Sequence, residues 1–314
     1  MHELLSQLLQ VGFFAALIRI ATPLILATLG ELFAERAGVL NLGIEGIMLL
    51  CAMTGFTAAY YSGDLWIGIA AAAATGAAMG LLMGLMTVTL GVSQHVSGLG
   101  VTMLCSGFAF YFYRLIFGEP SQPPSVPPFQ AMPIPVLSKI PVLGPILFDQ
   151  FALSYIAFAG VAVAAFLLKR TPWGLSLRTV GENPRAADAA GVSVAGMRYQ
   201  ALMLSGALMG IAGAYLSIAQ YNAFTFGVIS GRGWICIALV VFGQWQPWRS
   251  ALGALLFAFI DALQLRLQAS GLIHIPYQLF LMLPFLLTIV AMALVSRNAR
   301  APAALLVPFR KEER

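Results

Sequence analysis

Three histidines, three cysteines, three lysines and a few carboxylates are the side chains here whose chemistry could be catalytic. Their spacing argues against it. His2, His95 and His274 lie far apart, each near the edge of an apolar run, where an interfacial polar residue is the plainer reading. Cys51, Cys105 and Cys236 sit inside apolar runs and form no C-x-x-C pair, so neither a disulfide nor a metal reading holds. Lys139, Lys169 and Lys311 are not preceded by the glycine loop of a nucleotide-binding P-loop. No hydrolase or metal motif is present, and work driven by ATP would need another chain to hydrolyse it. The telling charges are Glu31, Glu35, Arg36 and Glu45, between or within the first two apolar runs, because a carboxylate facing lipid is costly and must meet a partner, a cavity or a loop. Glu35 and Arg36 suit either the interior or a plain cytoplasmic turn. Glu45, a few residues into an apolar run, suits the interior. Asn41 and Glu45, with two glycines in LNLGIEG, place polar groups where lipid would penalise them, as a translocation pathway requires. Asp261 and Arg266, five residues apart, are not placed to pair and receive no role.

The elements that must position these groups follow from composition. Of 314 residues, 60% are hydrophobic and 9% charged, against about 25% charged in soluble domains. Such a chain cannot be a soluble globular protein. The reading is an all-α polytopic membrane protein, whose lipid setting also tolerates the 17 prolines and 31 glycines. The formal charge of +5 reflects membrane topology, with no nucleic-acid partner. MHELLSQLLQ lacks a basic region ahead of its apolar stretch and reads as retained, entering or lying along the membrane. Runs long enough to cross occupy 11–33, 38–61, 65–90, 96–117, 151–168, 199–220, 250–265 and 276–296, with a short one at 233–243 that suits a broken or re-entrant helix. About eight to ten crossings are expected in a single transmembrane domain over 1–314.

Ten of the 17 basic residues lie in two places, the 169–198 loop and the 297–314 tail. Both are expected to face the cytoplasm. The 118–150 segment, with one lysine and nine prolines, is expected outside. Counting crossings back from the tail puts 244–249 and 91–95 inside, 221–232 outside, and the N-terminus outside. Gly76, Gly80 and Gly84, and Gly206 with Gly210, have the G-x-x-x-G spacing that lets membrane helices approach closely. In the 169–198 loop, Asn183 suits an N-cap, Pro184 the first helical position and Gly191 the left-handed residue past a helix end. The expected helix, Pro184 to Ala190, is too short to persist alone and must dock on something.

At this point the residues resemble a known family. Gly181-Glu182-Asn183, then Ala186-Ala187 and Ala190-Gly191, then the small-residue stretch Leu204 to Ala214, are similar to the coupling region of permease subunits of bacterial ABC importers. ERAGVLNLGIEG at Glu35–Gly46, Val96-Ser97-Gly98-Leu99, and Gly231-Arg232-Gly233-Trp234 extend the resemblance over most of the chain, in the branch carrying simple sugars and nucleosides. The ERAGVLNLGIEG form resembles that of nucleoside permeases rather than ribose permeases. Cys51 stands where a small glycine is expected. The resemblance implies a permease subunit without catalysis or cofactor of its own, in the bacterial cytoplasmic membrane with its C-terminus inside. Its expected partners are a second permease chain, identical or paired as a heterodimer, two ATPase subunits that hold ATP and Mg, and a periplasmic or lipoprotein solute-binding protein. Glu182, Asn183, Pro184, Arg185, Ala186, Ala187, Asp188 and Gly191 are expected at the ATPase contact, and Asn41, Glu45, Ser97 and Trp234 along the pathway. The cargo implied is a nucleoside or related purine, with simple sugars and flavin-like vitamins as alternatives. An ion-coupled carrier would need ionisable residues repeated along several helices, and beyond Glu45 these are scarce. Tyr221, Phe224, Phe226 and Trp234 could stack on a base or form an interfacial belt.

Overall fold

The computed structural model describes residues 11–120, 122–270 and 300–309, with Met282, Leu286, Ile289, Val290 and Ala293. Apart from those five residues, the 276–296 run lies outside the described residues, as do His2, His274 and the last basic residues.

Seven described helices are long and apolar enough to cross a membrane. They are α1 (Val11–Arg36), α2 (Ile44–Ser62), α3 (Leu65–Gly84, prolonged by a π-helical turn at Leu85–Thr89) and α4 (Gln94–Phe117), then, beyond the 118–150 segment, α6 (Ala152–Arg170), α9 (Val194–Ala214, prolonged by a π-helical turn at Tyr215–Gln220) and α11 (Pro247–Ser270). Shorter helices are α5 (Leu143–Leu147), α7 (Pro172–Glu182), α8 (Pro184–Ala189) and α10 (Arg232–Phe242). Local chemistry sets several starts. Asp64 accepts from the Trp66 N–H at 2.8 Å at the head of α3, Thr171 from Gly174 at 3.1 Å with Pro172 following, and Ser193 from Gly196 at 3.2 Å. Gly63, at φ +71°, ends α2 in the left-handed conformation glycine adopts freely.

Three expectations change in detail. The run at 38–61 becomes helical only at Ile44, leaving 37–43 irregular. The 169–198 loop contains a second helix, α7, because Thr171 and Pro172 start one as effectively as Asn183 and Pro184. The 118–150 segment contains α5 and a small antiparallel pair, β1 (Ala131–Pro133) on β2 (Asp149–Phe151), with Met132 opposite Gln150.

α9 is the central element, packed on α1, α2 and α3. Its glycines explain how closely it approaches. A Cβ added at Gly76 would overlap the Gly206 carbonyl, one at Gly206 would overlap that of Gly76, and one at Gly80 would overlap that of Leu202. The two glycine stripes read from the sequence therefore face each other.

Contacts between loops sort the chain into two ends. At the proline-rich end, Ser125 pairs with Ala223, the Val126 N–H donates to Asn222 O at 2.9 Å, and Arg19 of α1 donates to Gln150 Oε1 at 3.1 Å. At the basic end, Arg36 reaches Trp245, Gln94 reaches Gly38, and Arg198 reaches Ala37. The grouping agrees with the expectation that 118–150 and 221–232 share one side, and 91–95, 169–198 and 244–249 the other.

Candidate functional site

The irregular segment 37–43 enters the bundle from the basic end. Arg198 touches Ala37 while Asn41 touches Met209 and Glu31, each deeper along its own helix, so the segment descends into the bundle. Non-helical backbone at such depth requires every polar group to be satisfied, and side chains of neighbouring helices do this. Gln94 Oε1 accepts from the Leu40 N–H at 2.8 Å, while its Nε2 donates to Gly38 O at 3.2 Å. Glu31 Oε1 accepts from the Asn41 N–H at 2.9 Å, and Asn41 Oδ1 from the Gly43 N–H at 3.0 Å. Thr102 donates to Leu42 O at 2.9 Å. Close packing fits the same path: a Cβ on Gly98 would meet Leu42, and one on Gly46 would meet the Thr102 backbone.

Two helix N-termini meet at the bottom of this descent. Glu45, in the first turn of α2, accepts from the Gly231 N–H through Oε1 and from the Gly233 N–H through Oε2, both at 2.8 Å, and so caps α10. From this cap α10 runs eleven residues, about 16 Å, back to the basic end. There the Trp245 carbonyl receives Arg36 Nε and Nη2 at 3.0 and 2.8 Å, and its indole N–H donates to Glu35 Oε2 at 2.5 Å. The short run at 233–243 is thus a half-height helix, as its length suggested, and Glu35 is buried rather than part of an exposed turn. Arg232 pairs with Asp261 of α11 at 3.6 Å. Asp261 receives no role from local spacing because its partner lies 29 positions away.

The proposed pathway residues divide. Asn41 and Glu45 come together at the junction, Asn41 fully buried with its Nδ2 toward Met209 Sδ at 3.7 Å. Ser97 is buried one turn from Gln94. Trp234 follows the capped glycines and is exposed. Gln94 and Thr102, which hold the descending backbone, escaped sequence reasoning, since single amide and hydroxyl side chains at helix positions give no pattern. Of the outer aromatics, Phe224 is buried against Tyr113, while Phe226 lies with its ring centroid 4.6 Å from Phe110. Tyr221 and Trp234 are outside this cluster.

At the basic end, α8 forms as its caps dictate. Asn183 Oδ1 accepts from the Ala186 N–H at 3.0 Å, Pro184 takes the first helical position, and Gly191 is at φ +83°. Pro184, Arg185, Ala186 and Asp188 lie along this helix, and Ala187 is its buried residue. Glu182 ends α7, whose Gly181 lies so close to the Arg36 carbonyl that a Cβ would overlap it. The α7–α8 pair is therefore set directly against the head of the descending segment. Among the described residues, no group of three or more metal-ligating side chains occurs.

Comparison with known proteins agrees with this architecture. The family described as the permease component of branched-chain amino acid transport systems matches residues 13–292. The chain is 38% identical to the guanosine ABC transporter permease protein NupQ of Bacillus subtilis over 94% of this chain and 95% of that one. It is 34% identical to the nucleoside ABC transporter permease protein NupC of Lactococcus lactis over 90% and 92%, and 40% identical to the putative glucose ABC transporter permease protein TsgC13 of Haloferax volcanii over 83% and 79%. No solved structure matches. The chain belongs to this permease family and is a membrane-spanning subunit of an ABC transporter.

Proposed function

We propose that this subunit carries nucleosides or related purines inward, past the junction around Asn41 and Glu45, driven through α8 by an ATPase that binds ATP and Mg. The observation that carries the cargo is the similarity, over nine-tenths of the chain, to relatives named for guanosine and for nucleosides. A neutral ring-bearing solute also suits a junction whose charged groups are engaged internally, Glu45 with backbone N–H groups and Arg232 with Asp261. Permeases of this family work with ATPase and solute-binding partners. Here a second permease chain completes the pathway, and a binding protein delivers solute at the proline-rich end, which faces outward, with the basic end and C-terminus in the cytoplasm. Support for α8 as the ATPase contact comes from its caps, its setting in the most basic loop and the seat of the adjoining α7 against the Arg36–Gly38 turn.

The test of the cargo is uptake of labelled guanosine by cells that lack their own nucleoside permease and express this chain with its partners. Excess unlabelled nucleoside abolishes uptake if the reading holds. Competition by glucose but not by nucleosides would replace it with the sugar reading that the Haloferax relative favours, and competition by leucine alone with the one in the family's description. For the site, Glu45→Gln and Asn41→Leu lower uptake more than membrane abundance; normal uptake in both would leave the junction a structural feature only. For α8, cysteines at 185–189 cross-link to the co-purified ATPase, and absence of any cross-link while transport persists would remove the assignment.

A further inference from the structure

The described part of the C-terminal tail, Arg300–Phe309, does not trail away from the bundle. The Ala304 N–H donates to Gly181 O at 2.8 Å, and the Ala303 N–H to Glu182 Oε2 at 3.3 Å, fastening the segment to the end of α7. Ala304 is buried against Gly38, whose left-handed backbone at φ +86° leaves only enough room that an added Cβ would stand 3.0 Å from Ala304 O. Arg198 of α9 joins the parts. It is 1% exposed, its Nε donates to Ala37 O at 3.2 Å and its Nη2 to Val307 O at 3.3 Å. A guanidinium is tolerated at this burial only when its donors are used, and here the acceptors are two carbonyls from segments 270 residues apart. Phe309 then closes one side of an open cavity of about 390 Å³, whose other walls include Val88, Val192 and Val194, with Asp188 and Gly191 at the end of α8.

We propose that Arg300–Phe309 is a fixed part of the ATPase-facing surface. It holds α7 and α8 against the Glu35–Gly38 turn through Arg198, a positioning residue, and its Phe309 wall completes a crevice that receives an apolar side chain of the ATPase. The proposal rests on the reading of α8 as the ATPase contact. Its occupant follows from continuity: Asp188 and Gly191 belong both to the α8 region and to the crevice rim, so a subunit seated on α8 also covers the crevice. Val88, Val192, Val194 and Phe309 give the crevice an apolar wall that suits an apolar insertion, beside polar Asp188, Ser193 and Arg198.

The test uses the full permease reconstituted with its ATPase and binding protein. Cysteines introduced by Ala186→Cys and Phe309→Cys both cross-link to the ATPase. Arg198→Lys, whose single nitrogen cannot span the two carbonyls, preserves co-purification of the ATPase but lowers solute moved per ATP hydrolysed about tenfold. Ala304→Trp, which pries the segment from Gly38 while residue 198 stays arginine, has the same effect and serves if the lysine variant does not fold. Cross-linking from 186 without cross-linking from 309 overturns this proposal and leaves α8 in place. Failure at both positions overturns the α8 reading as well. Wild-type coupling in both Arg198→Lys and Ala304→Trp overturns the positioning role.

Discussion

Removing the Glu45 carboxylate tests the junction directly. Its two oxygens accept separate N–H groups, from Gly231 and Gly233, at 2.8 Å, the length of a charge-assisted bond. Glu45→Ala leaves both donors unpaired at the head of α10, that of Gly233 buried and that of Gly231 half-buried. An orphaned buried donor costs about 1–3 kcal/mol, and neutral interhelical bonds in membrane proteins average about 0.6 kcal/mol. Two such groups at a helix N-terminus, which also favours negative charge, give about 4 kcal/mol, close to a thousandfold in the unfolding equilibrium. Glu45→Gln keeps one acceptor and turns an NH₂ toward the other donor, so it loses about half, about 2 kcal/mol or roughly 30-fold. Glu45→Asp, one methylene shorter, cannot span both glycines and falls near the glutamine variant. Reversible unfolding in lipid bicelles titrated with denaturing detergent measures all three. The decisive result is the order alanine, then glutamine and aspartate together, then wild type. An alanine variant within about 0.5 kcal/mol of wild type would show that the cap contributes nothing and that the geometry at Gly231–Gly233 is held by other contacts.

Gly206→Leu forces α9 away from Gly76, whose carbonyl the new Cβ would overlap; membrane abundance and monodispersity fall sharply, whereas the same change at Gly100, which has open space around it, is tolerated. Asn183→Ala removes the cap on α8 and costs that helix about 1 kcal/mol; solute-stimulated ATP hydrolysis falls while abundance holds, and Asn183→Asp restores it. Thr102→Val keeps the shape but removes the donor to Leu42 O, so the same bicelle titration reads a loss of about 0.6 kcal/mol, and no more than about 1.7.

Much of the architecture is legible because lipid imposes simple rules. Length and apolarity locate the spans, basic residues sort the loops, and glycines four apart mark the closest helix pair. Asn183, Pro184 and Gly191 define α8 because caps are local chemistry. What the sequence conceals is non-local. Thr171-Pro172 is an equally good start signal, yet its following residues, WGLSLRTVGE, contain two glycines and little length, so α7 reads as loop. The 38–61 run is apolar enough to be one helix, and its irregular first turns form only because Gln94, Glu31 and Thr102 meet their backbone groups from elsewhere. Asp261 looked idle beside Arg266 because its partner, Arg232, is brought near by the half-height helix.

That half-height helix has a mechanical consequence. α10 is held at both ends by carboxylates of α1 and α2: Glu45 grips its N-terminal amides and Glu35 the indole just past its C-terminus. An eleven-residue helix, hydrogen-bonded internally except at its ends, bends little, so displacement of Trp245 moves Gly231–Gly233 by a similar amount instead of being absorbed along the way. The Arg36 side chain on the same tryptophan and the Arg36 carbonyl against Gly181 place α7 at one remove from that rod. A push on α7 and α8 therefore meets a chain of hydrogen-bonded, close-packed parts leading to the junction about 16 Å deeper. Softening any link, at Gly181, Arg36 or Glu35, weakens what reaches Glu45 without altering the cap itself.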